Sequence, residues 1–131
     1  MQRLRYRVFE DRLGWDVHVE DGREFDAFDY LKPHYLLLQG EYGSVDGCVR
    51  LLPSTGANML RDVFPILLDG EAAPCQSDIW ESSRFALDTE TVSGGGPNGL
   101  AEGTYALFAA MIEFGLAKKL SQIVTVTDVR M

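Results

Sequence analysis

Short, mostly apolar stretches separated by polar, glycine or proline residues predict four β-strands. The first two, at residues 34–39 and 45–52, are separated by a glycine-bounded turn at 40–43. This arrangement is typical of an antiparallel hairpin. A third strand is predicted at 79–87. The fourth, at 122–127, is rich in β-branched residues, which favour strands.

Apolar residues at helical spacing predict two longer helices. At residues 2–11 this spacing places Leu4, Val8 and Phe9 on one side, away from the arginines. The best helix is predicted at 100–120, with lysines near its negative end. Its apolar stripe comprises Leu100, Leu107, Phe108, Met111 and Phe114 or Gly115.

The remaining stretches are predicted to be connections with one short helix among them. Residues 13–33, 69–78 and 88–99 are interrupted by glycine or proline, which is typical of irregular structure. Asn58 is a suitable cap for a short helix at 59–64. The order helix, hairpin, strand, helix, strand predicts an α/β fold with helices packed on a mixed sheet.

Length and composition place the chain among ordinary globular domains. It has 131 residues, of which 46% are hydrophobic and 24% are charged, so one domain is expected. No apolar run approaches the roughly 20 residues that a membrane helix needs, and the N-terminus has no secretory signal. Cys48 and Cys75 lack the spacing of a metal site. We therefore predict a cytoplasmic protein that has no membrane partner.

The charge is negative overall but uneven along the chain. A net charge of −8 argues against nucleic acid as the main partner. The first dozen residues nevertheless hold four arginines, which are Arg3, Arg5, Arg7 and Arg12. These arginines form either a local basic face for an acidic partner or a solvated helix face.

Residues 80–85 place a carboxylate, two hydroxyls and a guanidinium between aromatic side chains. Regular alternation along a strand would point Glu81, Ser83 and Phe85 to one face, and Ser82 and Arg84 to the other. A carboxylate in an apolar sheet needs either a structural ion pair or a chemical role. Both remain open on these residues alone.

An arginine and two aromatic residues near the N-terminus form a second candidate site. Arg5 and Phe9 are one helical turn apart, and Trp15 follows them in the chain. A cation with two aromatic rings can receive an adenine ring and a carboxylate-bearing ligand. The alternative is a helix end that is held in place by Trp15.

A third candidate combines acids with an arginine on the second strand. Asp26 and Asp29 can bind a metal, hold an arginine or simply form a solvated turn. Arg50 must be paired if it is buried, and its candidate partners are Asp26, Asp29 and Glu81. The two histidines are isolated, so we expect no metal site.

A glycine-rich stretch at 94–99 formally matches the dinucleotide-binding pattern GxGxxG. It does not directly follow a predicted strand, and Pro97 lies inside it. It also lacks the strand–helix–strand context that gives this pattern its meaning. We therefore interpret it as a connection rather than a nucleotide site.

Seven short motifs occur in one order along nearly the whole chain. They are Leu4-Arg5-x-x-x-Phe9, Arg12-Leu13-Gly14-Trp15, Glu24-Phe25-Asp26-x-Phe28-Asp29, Gly47-Cys48-x-Arg50-Leu51, Asn58-Met59-Leu60 with Phe64, Trp80-Glu81-x-Ser83-Arg84-Phe85, and Val124-Thr125-Val126-Thr127. In this combination the chain resembles the acyl-homoserine-lactone synthases, the LuxI-type autoinducer synthases.

The resemblance implies an acetyltransferase-like (GNAT-like) α/β fold, with a mixed central sheet and helices packed on both of its faces. It also implies the synthesis of a quorum-sensing signal from S-adenosylmethionine and an acyl carrier protein thioester. The amine is acylated first, and the carboxylate then displaces methylthioadenosine to close a lactone. S-adenosylmethionine is a substrate in this reaction, and no permanently bound cofactor is expected.

The resemblance also assigns roles to individual residues. Glu81 would be the general base, directly or through water, and Ser83 would assist near the acyl group. Arg84 would join Asp26, Asp29 and Arg50 in a network of charges that holds the loop and orients substrate. The S-adenosylmethionine site would be formed by Arg5, Phe9, Trp15, Asp26, Asp29 and Arg50. Thr125, or alternatively Thr127, would tune the preference for the acyl chain. Because the carrier protein is acidic, Arg7, Lys118 and Lys119 are candidate contacts for it, the alternative being that they are solvated surface residues.

The family's chains begin earlier and run on further than this one. We therefore expect residues 1–131 to be a single synthase domain that lacks the family's N-terminal start and C-terminal third. Two alternatives remain open: a truncated, non-catalytic homologue that binds substrate or carrier protein, and a GNAT-type N-acyltransferase that uses acyl-CoA.

Overall fold

The computed structural model describes residues 1–12, 19–88 and 96–127 of the chain. Three α-helices lie among them: α1 (Gln2–Arg5), α2 (Met59–Asp62) and α3 (Gly96–Lys118). The strands, in chain order, are β1 (Val19–Glu20), β2 (Arg23–Glu24), β3 (His34–Gln39), β4 (Val45–Pro53), β5 (Ile79–Leu87) and β6 (Gln122–Thr125).

Four strands form one mixed sheet in the order β3-β4-β5-β6. The β3–β4 and β4–β5 pairs are antiparallel, whereas β5 and β6 are parallel. The helix α3 supplies the crossover that a parallel pair needs. The predicted mixed sheet and its hairpin are confirmed, as are the bounds of β3 and β5.

Helices cover both faces of this sheet. On one face, the N-terminal helix packs Leu4, Val8 and Phe9 against Cys48 of β4 and Ala86 of β5. Burial raises the pKa of the Cys48 thiol to about 11, as expected for a cysteine that packs as a small apolar residue. We call this side of the sheet the N-terminal face.

On the opposite face, which we call the α3 face, Leu107 of α3 packs against Val49 and Leu87 of the sheet. The predicted α3 stripe is only partly correct, because Phe108 is 50% exposed. Phe108 stacks on Phe85 at the border of this core rather than lying inside it. The side chain of Leu100 lies outside the part of the structure that is described.

An extra residue in β5 changes which side chains share a face. Arg50 is opposite Ser83 and Cys48 is opposite Ala86, so two residues, Arg84 and Phe85, stand opposite Val49. Arg84 has a positive φ of 54°, and such an extra residue is a β-bulge. The predicted alternation is therefore wrong at this point: Arg84 joins Ser83 on the N-terminal face, and Phe85 turns to the α3 face.

Smaller differences occur at the ends of elements. The N-terminal helix continues as a π-helical segment at Tyr6–Arg12. The helix α3 begins at Gly96, inside the stretch predicted to be irregular. Asn58 caps α2 as predicted, by accepting a hydrogen bond from the backbone N–H of Arg61 at 3.0 Å. No helix in the described ranges is long and apolar enough to cross a membrane.

Candidate functional site

An arginine from the N-terminal helix holds the segment that follows β2. The Arg5 guanidinium donates from Nε and Nη2 to the two carboxylate oxygens of Glu24, at 2.9 and 3.0 Å. It also donates from Nη1 and Nη2 to the two oxygens of Asp29, at 2.8 and 2.9 Å. Arg5 and Glu24 are both fully buried. These two forked pairs use the planar geometry that distinguishes arginine from lysine.

A second arginine approaches the same segment from β4. Arg50 donates to both oxygens of Asp26 and, from Nη1, to Asp29 at 3.2 Å. Its Nε donates to the Ser83 hydroxyl on the neighbouring strand, at 3.0 Å. The prediction that Asp26 and Asp29 pair with Arg50 is confirmed. Glu81, its third predicted partner, binds backbone N–H groups instead.

The bulge in β5 brings a third arginine into the cluster. Arg84 donates from Nε to Glu24 at 2.8 Å, and its Nη2 lies 3.2 Å from an oxygen of Asp26. Its guanidinium carbon also lies 5.3 Å from the centre of the Phe9 ring. Phe9 therefore packs beneath a cation as a buried residue rather than lining an open surface.

Formal charges balance within this cluster, which we call the charge network. It contains three carboxylates (Glu24, Asp26 and Asp29) and three guanidiniums (Arg5, Arg50 and Arg84). Oxygens of the three acids lie within 4.8 Å of one another, a spacing that could suit a metal ion. Each carboxylate is already paired with guanidiniums, so the cluster has no surplus negative charge to attract a cation.

Asp29 is the carboxylate with the most partners described in the network. Besides Arg5 and Arg50, it accepts hydrogen bonds from the Tyr35 hydroxyl and from the backbone N–H of Asp26. Burial by itself raises the pKa of Asp29, but the bonds from Arg5, Tyr35 and that N–H outweigh it and hold the pKa well below its usual range. Burial and the bond to Asp29 raise the pKa of Tyr35.

Glu81 lies beside the charge network but has a different set of partners. Glu81 as a whole is 1% exposed. One oxygen accepts the backbone N–H of Met59 at 2.8 Å, and the other accepts that of Leu60 at 2.7 Å. These are N–H groups of the first turn of α2, which have no partner within the helix. Glu81 therefore anchors the start of α2 to β5.

The two threonines proposed for acyl selectivity lie on or after the edge strand β6. The Thr125 hydroxyl donates to the backbone carbonyl of Ser82 at 3.0 Å, across the parallel pair of strands. Both Thr125 and Thr127 are exposed. Among the described strands, β6 is the outermost and has β5 as its neighbour, whereas the charge network lies on the N-terminal face.

The basic residues predicted to contact a carrier protein lie on two separate surfaces. Arg7, on the N-terminal helix, forms an ion pair of 2.9 Å with Asp88. Lys118, at the end of α3, places its ammonium 5.7 Å from the ring centre of Trp80. Lys119 follows it with a positive φ of 58° and is exposed. The two helices cover opposite faces of the sheet.

A cavity of about 470 Å³ lies next to the network. Asp29 and Tyr35 form part of its wall, together with Phe25, Tyr30, the first two residues of the chain and residues of the β1–β2 hairpin. Trp15, the third predicted member of the Arg5 and Phe9 site, lies outside the described residues.

Three residues of this site were not predicted from their chemistry. Glu24 appeared only as part of a motif, yet it pairs with two arginines. Tyr35 lies in the mostly apolar stretch of β3, and that pattern gives no sign of its bond to Asp29. Met59 carries no charge that would mark it, although its sulfur contacts Arg50 and Arg84.

Comparison with known proteins gives one consistent family. The model of that family, described as autoinducer synthase, matches residues 1–131. A probable acyl-homoserine-lactone synthase of Sinorhizobium fredii is 46% identical to this chain over 127 residues, which are 97% of this chain and 61% of the relative. The chain spans about three fifths of the length of the curated relatives it matches first.

Solved structures agree with this similarity. The AHL synthase LasI has 42% sequence identity and a TM-score of 0.87, with 99% of this chain and 64% of LasI covered. The CoA-dependent acyl-homoserine lactone synthase BjaI, solved with SAM and isopentyl-CoA, has 31% identity and a TM-score of 0.84. That match covers 98% of this chain and 58% of BjaI. These neighbours show that the fold is GNAT-like, as predicted.

Proposed function

Because the chain belongs to the autoinducer synthase family, we propose that it carries the catalytic residues of an acyl-homoserine-lactone synthase. The substrates would be S-adenosylmethionine and a fatty acyl thioester. The observation that carries this proposal is the charge network, in which three arginines from three elements fix an acidic segment next to Glu81. The product would be a quorum-sensing signal.

The reaction has two steps. First, the amine nitrogen of S-adenosylmethionine loses a proton and attacks the thioester carbonyl, so that an amide forms and the thiol of the carrier departs. Next, a carboxylate oxygen attacks the carbon bonded to the sulfonium, so that a lactone forms and methylthioadenosine leaves as a neutral thioether. Holding both substrates in one site replaces a bimolecular encounter with a unimolecular step.

Glu81 is proposed to accept the proton from the amine, directly or through a water molecule. An ionised carboxylate offers about four lone-pair sites, and the N–H groups of Met59 and Leu60 occupy one on each oxygen. Ser83 is proposed to assist near the acyl group, and Arg84 to orient substrate as part of the charge network. Arg84 stands on the same face as Ser83 because of the bulge in β5.

The S-adenosylmethionine site is proposed to include Arg5, Phe9, Trp15, Asp26, Asp29 and Arg50. Arg5 and Arg50 are fully buried and already form several hydrogen bonds with carboxylates. Their part in this proposal is to fix the segment carrying Asp26 and Asp29, so that the substrate meets a rigid wall. S-adenosylmethionine acts here as a substrate, as the pairing of BjaI with SAM in a solved structure supports.

An acyl carrier protein is the proposed acyl donor, with contacts at Arg7, Lys118 and Lys119, and acyl-CoA is the second candidate. The second candidate is favoured by BjaI, which is described as CoA-dependent. Arg7 and the lysines lie on helices that cover opposite faces of the sheet. Reversing the charge of Arg7, and separately of both lysines, would test the two surfaces, since each contact that the donor makes should raise the KM for a carrier-protein thioester when its charge is reversed.

Thr125 and Thr127 are proposed to influence the acyl chain that is accepted. Thr125 bonds to the Ser82 carbonyl beside the catalytic stretch of β5, which supports a place for the acyl chain at the β5–β6 junction. We also propose that the protein acts in the cytoplasm, where both substrates are made available.

The test is an assay of the purified protein with S-adenosylmethionine and either acyl carrier protein thioesters or acyl-CoA. Methylthioadenosine and lactone are measured by mass spectrometry. We expect both products with the unmodified protein, and a loss of roughly 10²–10⁴-fold in kcat for Glu81→Gln, as is usual when a positioned base is removed. The matched control is Glu71→Gln, which changes an exposed glutamate in a loop.

Two results would contradict the proposal. If the unmodified protein forms neither product with either donor, the synthase function is wrong. If Glu81→Gln and Glu71→Gln both turn over at the unmodified rate, Glu81 is not the base.

A further inference from the structure

Arg50 has five N–H groups, and the structure provides an acceptor for every one of them. Nε donates to the Ser83 hydroxyl. Nη1 donates to Asp26 and Asp29. Nη2 donates to Asp26 and, at 3.3 Å, to the sulfur of Met59. The fifth acceptor is therefore a thioether, the least polar of the set, next to a guanidinium that is 1% exposed.

The same methionine also contacts the other two parts of the site. Its sulfur lies 3.9 Å from Nη1 of Arg84, so that it stands between two guanidiniums. Its backbone N–H donates to Glu81 at 2.8 Å. Met59 is 8% exposed, and it is the first residue of α2. One residue thus contacts Glu81 through its backbone and the charge network through its side chain.

We propose that Met59 is a positioning residue that fixes the separation between Glu81 and the guanidiniums of Arg50 and Arg84. This inference rests on the proposed function, because that separation matters if Glu81 takes a proton from a substrate that the network orients. The thioether suits the position because it accepts weakly without adding charge and adapts its shape to an irregular gap. A carboxylate there would upset the formal balance of three acids and three arginines.

Leucine would fill almost the same volume but would leave one N–H of Arg50 without an acceptor. Exchanges of methionine and leucine are usually tolerated in cores because volume is kept. A buried donor that loses its partner carries the full cost of its desolvation. Replacing methionine with leucine should therefore impair the site at position 59. The same replacement should have no effect at Met111, which packs against the α3 core.

The two contacts of Met59 can be separated by two substitutions. Met59→Leu removes the sulfur and keeps the backbone N–H. Met59→Pro removes both, and proline is acceptable there because it is favoured at the first helical position. The preceding Asn58 also has the extended conformation that proline requires, with φ −153° and ψ 164°. Met111→Leu is the matched control for Met59→Leu.

The experiment measures kcat and the KM for S-adenosylmethionine with the purified protein. For Met59→Leu we expect the KM for S-adenosylmethionine to rise roughly fivefold to tenfold, while the KM for the acyl donor stays unchanged. Met59→Pro should in addition lower kcat, because Glu81 loses one of its two N–H donors. Met111→Leu should change neither constant. A merely structural role would lower the melting temperature and leave the KM for S-adenosylmethionine unchanged.

A second readout does not depend on turnover. With ¹³C-labelled methionine methyl groups, the Met59 resonance should shift in Arg50→Lys and in Glu81→Gln, but not in Glu71→Gln. The inference is overturned if that resonance is unaffected by both changes, or if Met59→Leu gives the same KM as Met111→Leu. If the unmodified protein makes no product while the resonance responds as expected, the proposed function fails and the positioning contact stands.

Discussion

At the scale of single residues, the chemistry of the site depends on how each buried charge is satisfied. In the charge network, three guanidiniums from distant parts of the sequence are neutralised by three carboxylates of one segment, residues 24–29. Removing one member leaves its partners buried without a counter-charge, which is usually more damaging than replacing a whole pair with apolar residues. Asp29, with its four described donor residues, is the position where this effect should be clearest.

Asp29→Asn should lower the free energy of unfolding by about 3–5 kcal/mol at neutral pH. The hydrogen bonds to Asp29 hold its pKa in the folded chain below its ordinary value of 3.8. Its ionised form therefore stabilises the fold fully above that value, and the contribution is lost as the pH falls below it. The difference in unfolding free energy between the unmodified protein and Asp29→Asn should accordingly become smaller in acid.

Urea unfolding at pH 7 and pH 3 measures that difference, with the exposed Asp69→Asn as the control. Among the described contacts of its loop, Asp69 has no partner that would make its substitution costly. Asp69→Asn should therefore change the free energy of unfolding by no more than about 0.5 kcal/mol at either pH value. If Asp29→Asn lowers the free energy of unfolding equally in acid and at neutral pH, the ionised form of Asp29 is not what stabilises the fold.

Partner choice at this scale was only partly predictable from the sequence. Arginine geometry and burial correctly indicated that Arg50 would pair with Asp26 and Asp29. By charge, Glu81 was an equally good candidate partner for Arg50, but in the fold its carboxylate accepts hydrogen bonds from two helix N–H groups. Backbone donors do not appear in a sequence pattern, because every residue but proline has one.

At the scale of secondary structure, the hydrophobic pattern predicted most elements and missed those that depend on a single residue. The strands β3 and β5 were predicted to their ends, since polar, glycine or proline residues flank each stretch. The bulge at Arg84 was missed because one extra residue leaves the composition of the strand unchanged. The short β1–β2 hairpin was missed for a related reason: each strand has only two residues.

The contact between β4 and α3 depends on a glycine. A Cβ atom at Gly47 would lie 2.8 Å from Leu87 Cδ2 and 3.1 Å from Leu107 Cδ1. Gly47→Ala should therefore lower the free energy of unfolding by about 1–3 kcal/mol, through overpacking. Gly56→Ala is the control, because a Cβ atom there meets nothing within 4 Å.

Thermal or urea unfolding of both variants distinguishes the contact from a general effect of removing glycine. Equal stability of Gly47→Ala and Gly56→Ala would mean that α3 can move away from the sheet at little cost.

At the scale of the whole molecule, stability is concentrated around one central strand. β4 has neighbours on both sides, and seven of its nine residues are buried. It also carries Arg50, so the charge network and the α3 core meet across its two faces. The edge strand β6, in contrast, has one neighbouring strand among the described residues and no fully buried residue.

Amide hydrogen exchange should reflect this arrangement. We expect the amides of β4 to exchange with the slowest, global rate, and those of β6 to exchange faster through local opening. Mass spectrometry of peptides covering the two strands gives the comparison within a single sample. Equal protection of β4 and β6 would show that the sheet opens as one unit.

The bulge also bears on how such a site could arise. If Arg84 were absent, Ser83 and Ala86 would still stand opposite Arg50 and Cys48, and Phe85 alone would face Val49. Every other side chain of the strand would keep its side. A single inserted codon in a regularly pleated ancestor would thus have been enough to add a cation to one surface, with no other residue displaced.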